Sequence, residues 1–209
     1  MARTRPFDEW TARYDQWFEK NHLAYLAELG TVKRLLPDKG KGIEIGVGTG
    51  RFSAPLEIEW GLDPSSKMLK IAEKRGVHVI KGVAEKLPFA DAQFDFALMV
   101  TTICFLDDIE VAFREVWRIL KPSGCFIAGF IDKNSNLGRQ YQENSNSNEF
   151  YKIATFYSVD EVIELMKSTG FSNFDFAQTI FQSLDKIQAP EPVRDGYGSG
   201  SFVVIRGHK

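Results

Sequence analysis

Glu44 stands two residues ahead of three alternating glycines in the run Glu44-Ile45-Gly46-Val47-Gly48-Thr49-Gly50-Arg51. Glycines in such a turn can adopt positive φ and let a ligand lie against bare backbone. The spacing separates the ligands such a turn could hold. A dinucleotide fingerprint, G-x-G-x-x-G, needs a glycine at the position that Arg51 fills. A carboxylate at Glu44 would repel a pyrophosphate, whereas it favours an ammonium or a sulfonium. The phosphate-loop pattern G-x-x-x-x-G-K-[ST] does not occur. Asp63 supplies a second acid nineteen residues after Glu44, where a carboxylate at a strand end can accept both hydroxyls of a ribose. Its other reading is a cap for the helix that begins near Ser65.

These residues need a strand-turn-helix frame, and the flanking pattern supplies one. Phe7, Trp10, Tyr14, Trp17 and Phe18 recur at helical spacing, and Leu23, Leu26 and Leu36 continue a helical lead-in over 1–40. A strand over 42–46 enters the glycine turn, and a short helix is expected to follow through about Leu56, its free N–H groups aimed at the site. Further strands are expected over 57–63, 77–83, 94–100 and 125–131. Helices are expected over 65–75 and after Asp107, whose spacing to Glu110 is that of a capping box. The nearly continuous apolar run 94–100 suits a strand buried on both faces at the sheet's centre. Leu120 to Gly124 is read as punctuation between a helix and the next strand.

Ser158 and Glu161 make a second capping-box pattern, and the stripe Val159, Val162, Ile163 and Met166 runs until Gly170. Strands over 171–182 and 201–206 follow with no helical pattern between them, so they should pair antiparallel. The expected fold is α/β: a doubly wound, mostly parallel seven-stranded sheet with helices on both faces and a C-terminal antiparallel hairpin. One domain over 1–209 is expected, with the lead-in over 1–40, a core over 41–132, a lid-like insertion over 133–157, and a C-terminal helix and strands over 158–209.

Composition narrows the function classes. With 44% hydrophobic and 26% charged residues the chain is globular rather than disordered or fibrous. A net charge of −2, with no Lys/Arg run longer than two, supplies no general attraction for nucleic acid. Cys104 and Cys125 both lie in apolar stretches and read as small buried hydrophobes, not as a disulfide framework. His22, His78 and His208 are scattered without metal-ligand spacing, His78 reading as a strand residue and His208 as a tail residue. Neither a signal peptide nor a run approaching the ~18 apolar residues of a membrane span is present, so a cytoplasmic location is expected.

Four blocks, in order, resemble the class I S-adenosylmethionine-dependent methyltransferases, particularly the small-molecule branch of ubiquinone/menaquinone-pathway enzymes. They are Glu44 to Gly50, Gly61-Leu62-Asp63-Pro64-Ser65 with Met68, Gly82 to Phe89 with Phe94-Asp95, and Arg118 to Gly124. The resemblance covers about 42–130. It implies S-adenosylmethionine as cofactor, bound by Glu44, Gly46, Val47, Gly48, Thr49, Gly50, Asp63, Pro64, Met68, Val83, Ala84, Glu85 and Thr101. Within that set it implies Glu44 at the amino-acid end, Asp63 at the ribose, Met68, Ala84 and Glu85 at the adenine, and Thr101 beside the methionine portion. Many relatives carry Asp where this chain has Val83, so backbone groups would serve the adenine amino group here.

Such a cofactor already holds an activated methyl carbon and a neutral leaving group. The protein then mainly positions an acceptor for in-line displacement, an effect that can supply about 7 to 11 kcal/mol. No catalytic residue follows from the pattern. Any proton acceptor would come from the lid side, where Tyr14, His22, Tyr141 and Tyr151 are the candidates, each equally readable as packing. The expected partner is a small-molecule methyl acceptor, with no metal; the oligomeric state does not follow from the sequence. Two further readings stay open: a non-catalytic S-adenosylmethionine sensor or partner subunit, and a nicotinamide-dependent oxidoreductase, which Arg51 and Glu44 oppose.

Overall fold

The computed structural model describes residues 4–209. The lead-in forms three helices, α1 (Arg5–Glu9), α2 (Thr11–Lys20) and α3 (His22–Leu35). The core contributes β1 (Gly42–Ile45), β2 (Trp60–Asp63), α4 (Ser66–Lys74), β3 (His78–Lys81), β4 (Phe94–Val100), α5 (Ile109–Ile119) and β5 (Leu120–Ile131). Then come α6 (Asn136–Glu143), α7 (Val159–Ser168), β6 (Ser172–Thr179), β7 (Arg194–Asp195) and β8 (Phe202–His208). The strands form one sheet in the order β3-β2-β1-β4-β5-β8-β6-β7. β1 through β5 run parallel, and β8 inserts antiparallel between β5 and β6.

Alternation along β4 divides the core. Ala97 and Met99 pack with Phe113 and Val116 of α5 and Val162 and Met166 of α7, while Leu98 and Val100 face Ala27, Val32 and Leu35 of α3. Every side chain of that strand except Asp95, which pairs with Lys121, is thereby buried on one face or the other, which is why its sequence is almost continuously apolar.

The doubly wound sheet with its terminal hairpin matches the expectation, but it has eight strands rather than seven. The extra one is β7, two residues of the Pro/Gly-rich loop that pair with Ala177 and Gln178. Gln178 draws that loop in by accepting the Ser199 and Gly200 N–H groups at 2.9 and 2.6 Å.

Four local expectations are corrected. No α-helix follows the glycine turn; residues 51–57 form successive turns. Ala54 and Leu56 still donate to Gly50 and Phe52, but the ladder is interrupted between these bonds because Ser53 N–H donates to Glu44, Thr49 carbonyl accepts Arg75, and Pro55 has no N–H to give. The cap of α5 is Asp108, which accepts Val111 N–H at 3.0 Å, one residue beyond Asp107. Leu120 to Gly124 belongs to β5 across a register shift, and β8 runs on to His208, so that histidine is a strand residue 3.6 Å from Asp175. The capping box of α7 forms as expected, with Ser158 and Glu161 bonded reciprocally.

Candidate active site

β1 delivers the glycine turn to the carboxyl end of the parallel strands, where ligands of open α/β sheets bind. The N–H groups of Gly46 and Val47 both donate to Leu62 carbonyl, at 2.7 and 3.0 Å, lashing the turn to β2. Gly46 has φ 76°, and a Cβ there would run into the Thr102 side chain. Gly48 N–H donates to Asp63 Oδ2 at 3.0 Å, and Ser65 N–H donates to Asp63 Oδ1 at 2.8 Å. The helix cap at this point is Ser65, which accepts Met68 N–H at 3.2 Å, so Asp63 is a brace for the turn and not the cap. Asp63 is 9% exposed, and burial pushes its carboxyl up to about 6 against the two N–H bonds that lower it.

A cleft of about 90 Å³ lies in front of this brace, and Gly46, Gly48, Asp63, Pro64 and Met68 border it. Val83, Ala84, Glu85 and Thr101 border it as well. Thr4 and Phe7, at the start of the chain, close its outer side. Glu85 also bridges the cleft's rim, accepting Asp107 N–H at 2.8 Å and Asp108 N–H at 3.3 Å.

The other residues expected at the cofactor stand behind the turn. Glu44 is 2% exposed and accepts both the N–H of Ser53, at 2.9 Å, and its hydroxyl. Burial pushes Glu44 up to about 8, opposed by those bonds and reinforced by Asp63. Val47 packs with Leu69, Ala72 and Val77, and a Cβ on Gly50 would lie 3.2 Å from Ala72 Cα, so this glycine lets the turn sit on α4. Thr49 donates its hydroxyl to Asp15 at 2.7 Å.

Asp15, on α2, fastens the lead-in to the core. Its carboxylate accepts from Arg51 at 2.9 and 2.7 Å and from Arg75 at 3.0 and 2.9 Å. Burial works against its charge, but the bonds from Arg51, Arg75 and Thr49 hold its carboxyl well below the usual carboxylate range. Arg51, the residue that breaks the dinucleotide pattern, thus serves to hold α2 over the turn.

Beneath α2 and the 133–157 segment is a second cavity, about 450 Å³, and Phe7, Tyr14, Thr101 and Phe105 border both spaces. The Thr101 side chain lies beside the Tyr14 phenol at the junction. Burial raises the Tyr14 phenol, as do the carboxylates of Glu44 and Asp63. Thr101 has φ 50°, a left-handed conformation that a β-branched residue rarely adopts, right where β4 meets the junction. Tyr141 and Tyr151 line the larger cavity with their rings stacked at 4.3 Å, as do Phe150 and Phe156 from the same segment. Cys104 is half-buried and lines this cavity, unlike Cys125, which is buried in the sheet as expected. His22 lies outside both cavities, its ring against Tyr25.

The acid of the larger cavity was not anticipated. Glu28 of α3 is 3% exposed and is the only acid among the described lining residues of the larger cavity. Its signal in the sequence is periodic: it falls on the stripe Ala24, Thr31, Val32 and Leu35, whose members are all buried.

With this geometry in hand, the comparisons are specific. A methyltransferase domain family matches residues 43–128. An uncharacterized protein of Methanocaldococcus jannaschii is 46% identical over 203 residues, covering 97% of this chain and 98% of that one. A demethylmenaquinone methyltransferase of a Roseiflexus species is 38% identical over 96 residues, 41% of this chain and 40% of the relative. Among solved structures, a SAM-dependent methyltransferase of Thermotoga maritima, a possible histamine N-methyltransferase, is 51% identical, covers 99% of both chains and superposes with a TM-score of 0.97. Identity and coverage of that order, together with a glycine turn braced by an acid at the end of β2, mean that the chain belongs to the S-adenosylmethionine-dependent methyltransferases.

Proposed function

We propose that this protein transfers the methyl group of S-adenosylmethionine to a small-molecule acceptor held in the aromatic cavity. The observation that carries the reading is the juxtaposition of two spaces: a cleft bordered by the glycine turn and Asp63, and a larger cavity joined to it at Tyr14 and Thr101. The residues present fit the cofactor. Gly46 and Gly48, both at positive φ, present bare backbone to the cleft, a strand-end carboxylate suits a ribose, and two buried acids suit a ligand with cationic groups.

When bound, the cofactor supplies a methyl carbon bonded to a positive sulfur and a neutral leaving group. Asp63 would hold the ribose hydroxyls, Met68 and Ala84 would flank the base, and Glu44, fixed behind the turn by Ser53, would favour a cation there on giving up its proton. Tyr14 and Thr101 line the passage through which methyl and acceptor meet, and the aromatic walls keep water out. The reaction then draws on orientation alone, and turnover is expected to survive exhaustive chelation, since no histidine pattern in the sequence suggests a metal requirement.

A screen of acceptors reading out S-adenosylhomocysteine tests the proposal. Likeness to the Thermotoga protein puts histamine in that panel. Turnover on any acceptor separates an enzyme from a non-catalytic sensor. A rise in melting temperature with S-adenosylhomocysteine and none with NAD separates it from an oxidoreductase; equal shifts with both would refute the cofactor assignment.

A further inference from the structure

We propose that the acceptor is a small amine with an apolar body, and that the Glu28 carboxylate binds its ammonium group inside the aromatic cavity. The inference rests on the methyltransferase reading above and adds to it the class of acceptor.

Glu28 is placed where a carboxyl is costly. It projects from the buried stripe of α3 into the cavity, and among the described residues no cation and no hydrogen-bond donor offsets its burial. An apolar side chain of similar volume would suit the fold better, because an ionisable group without a partner is unfavourable in such surroundings. The remaining walls are mostly aromatic: Tyr14, Trp17, Phe130, Tyr141, Phe150 and Tyr151 all face the space. Aromatic faces attract cations, and one carboxylate among them completes a site for an ammonium attached to something apolar.

The two cations of the lining, Arg13 and Lys20, are both exposed residues of α2, so the charge that a ligand meets inside is that of Glu28. An anionic acceptor would keep Glu28 protonated and meet no cation inside. A neutral alcohol or thiol would gain at most one hydrogen bond and leave the aromatic faces without a charge to attract. An amine satisfies both features at once.

Proton linkage gives the proposal a signature that a merely structural Glu28 would lack. Burial pushes the Glu28 carboxyl up to about 8, so at pH 7 the empty cavity holds it mostly protonated. Tyr141 and Tyr151, whose phenols feel its charge, are themselves raised by burial and remain protonated at that pH. An arriving ammonium favours the ionised carboxylate and expels about one proton to the buffer.

The test is calorimetric titration of S-adenosylhomocysteine-saturated protein with phenethylamine and with its neutral isostere phenethyl alcohol, at pH 7 in two buffers of different ionisation enthalpy. The amine should bind about 10-fold more tightly or better, and should release about one proton. In Glu28→Gln both effects should vanish while S-adenosylhomocysteine affinity is unchanged; Glu28→Met gives the same comparison if the amide variant folds poorly. Equal affinity for the two probes, no binding of phenethylamine or benzylamine, or an amine preference that persists in the variants would overturn the proposal. Failure of S-adenosylhomocysteine itself to bind would instead overturn the methyltransferase reading, so the two failures are distinguishable.

Discussion

Gly48 donates its backbone N–H to Asp63 Oδ2 at 3.0 Å, so the glycine turn after β1 and the acid at the end of β2 form one unit. Asp63→Ala should therefore do two things: weaken S-adenosylhomocysteine binding by about 1.5 to 3 kcal/mol, the range for hydrogen bonds to charged groups, and lower stability by loosening the turn. Asp63→Asn retains one acceptor oxygen and should keep most of the stability while losing part of the affinity. Calorimetry and melting curves on both variants measure this, and an unchanged dissociation constant in the alanine variant would leave Asp63 with a structural role only.

Stability of the cofactor-free protein should fall as pH rises. Burial pushes Glu28 and Glu44 up to about 8 and Asp63 up to about 6, above their unfolded values. Through the window from about pH 5 to 8 the native state therefore binds protons that the unfolded chain has released. Asp63 contributes to the loss up to about pH 6 and the two glutamates up to about pH 8, above which it levels off. Glu28→Gln should flatten the profile and raise the melting temperature at pH 8. A melting temperature that climbs from pH 6 to pH 8 would contradict the assignment.

The Asp15 cluster should behave oppositely, because its carboxyl lies below the usual range: its contribution is present at neutral pH and is lost only in strong acid. Side chains of Asp15, Arg51 and Arg75 are 22%, 16% and 27% exposed, so screening reduces the cost of breaking the cluster. Asp15→Ala should cost about 1 to 3 kcal/mol and free α2 for early proteolysis. Cleavage kinetics at Arg13 and Lys20 in the variant and the parent protein decide this; identical rates would mean that aromatic packing alone holds the helix.

Tyr141 and Tyr151 stack at the cavity wall and do not border the cofactor cleft. Tyr141→Ala and Tyr151→Ala should reduce turnover or shift acceptor preference while S-adenosylhomocysteine affinity stays within about 0.5 kcal/mol of the parent. Comparable losses of cofactor affinity in both would show that this wall supports the cleft instead.

The cleft is smaller than the roughly 300 to 1,000 Å³ of ordinary ligand pockets, and α1 stands at its open side with no buried residue of its own. α1 is held by Asp8, which accepts the Ser65 hydroxyl at 2.7 Å and whose carbonyl accepts Lys67 Nζ at 2.8 Å. Cofactor entry should displace α1, and Asp8→Ala should speed association several-fold, as expected for losing a contact worth about 1 kcal/mol. Stopped-flow fluorescence measures the rate, and an unaltered association constant would argue that α1 does not gate the cleft.

What the amino-acid order determined by itself was whatever depends on near neighbours. The glycine turn, the acid at the end of β2, the almost continuously apolar β4 and the Ser158–Glu161 box follow from φ preference, strand alternation and capping chemistry, all decided within a few residues. Tertiary structure decided the rest. Periodicity puts Glu28 on the apolar stripe of α3, but only the packing of that helix beneath the 133–157 segment makes it a cavity wall. The helix expected after Gly50 did not form, because Arg75, distant in sequence, takes the Thr49 carbonyl and Glu44 takes the Ser53 N–H. Thr49 and Arg51, adjacent to the cofactor turn in sequence, serve Asp15 thirty-odd residues away. For Thr49, Arg51 and the segment after Gly50 a long-range charge or hydrogen bond outweighed a local preference, whereas for Glu28 packing alone decided, and only the packed molecule shows what surrounds a polar group.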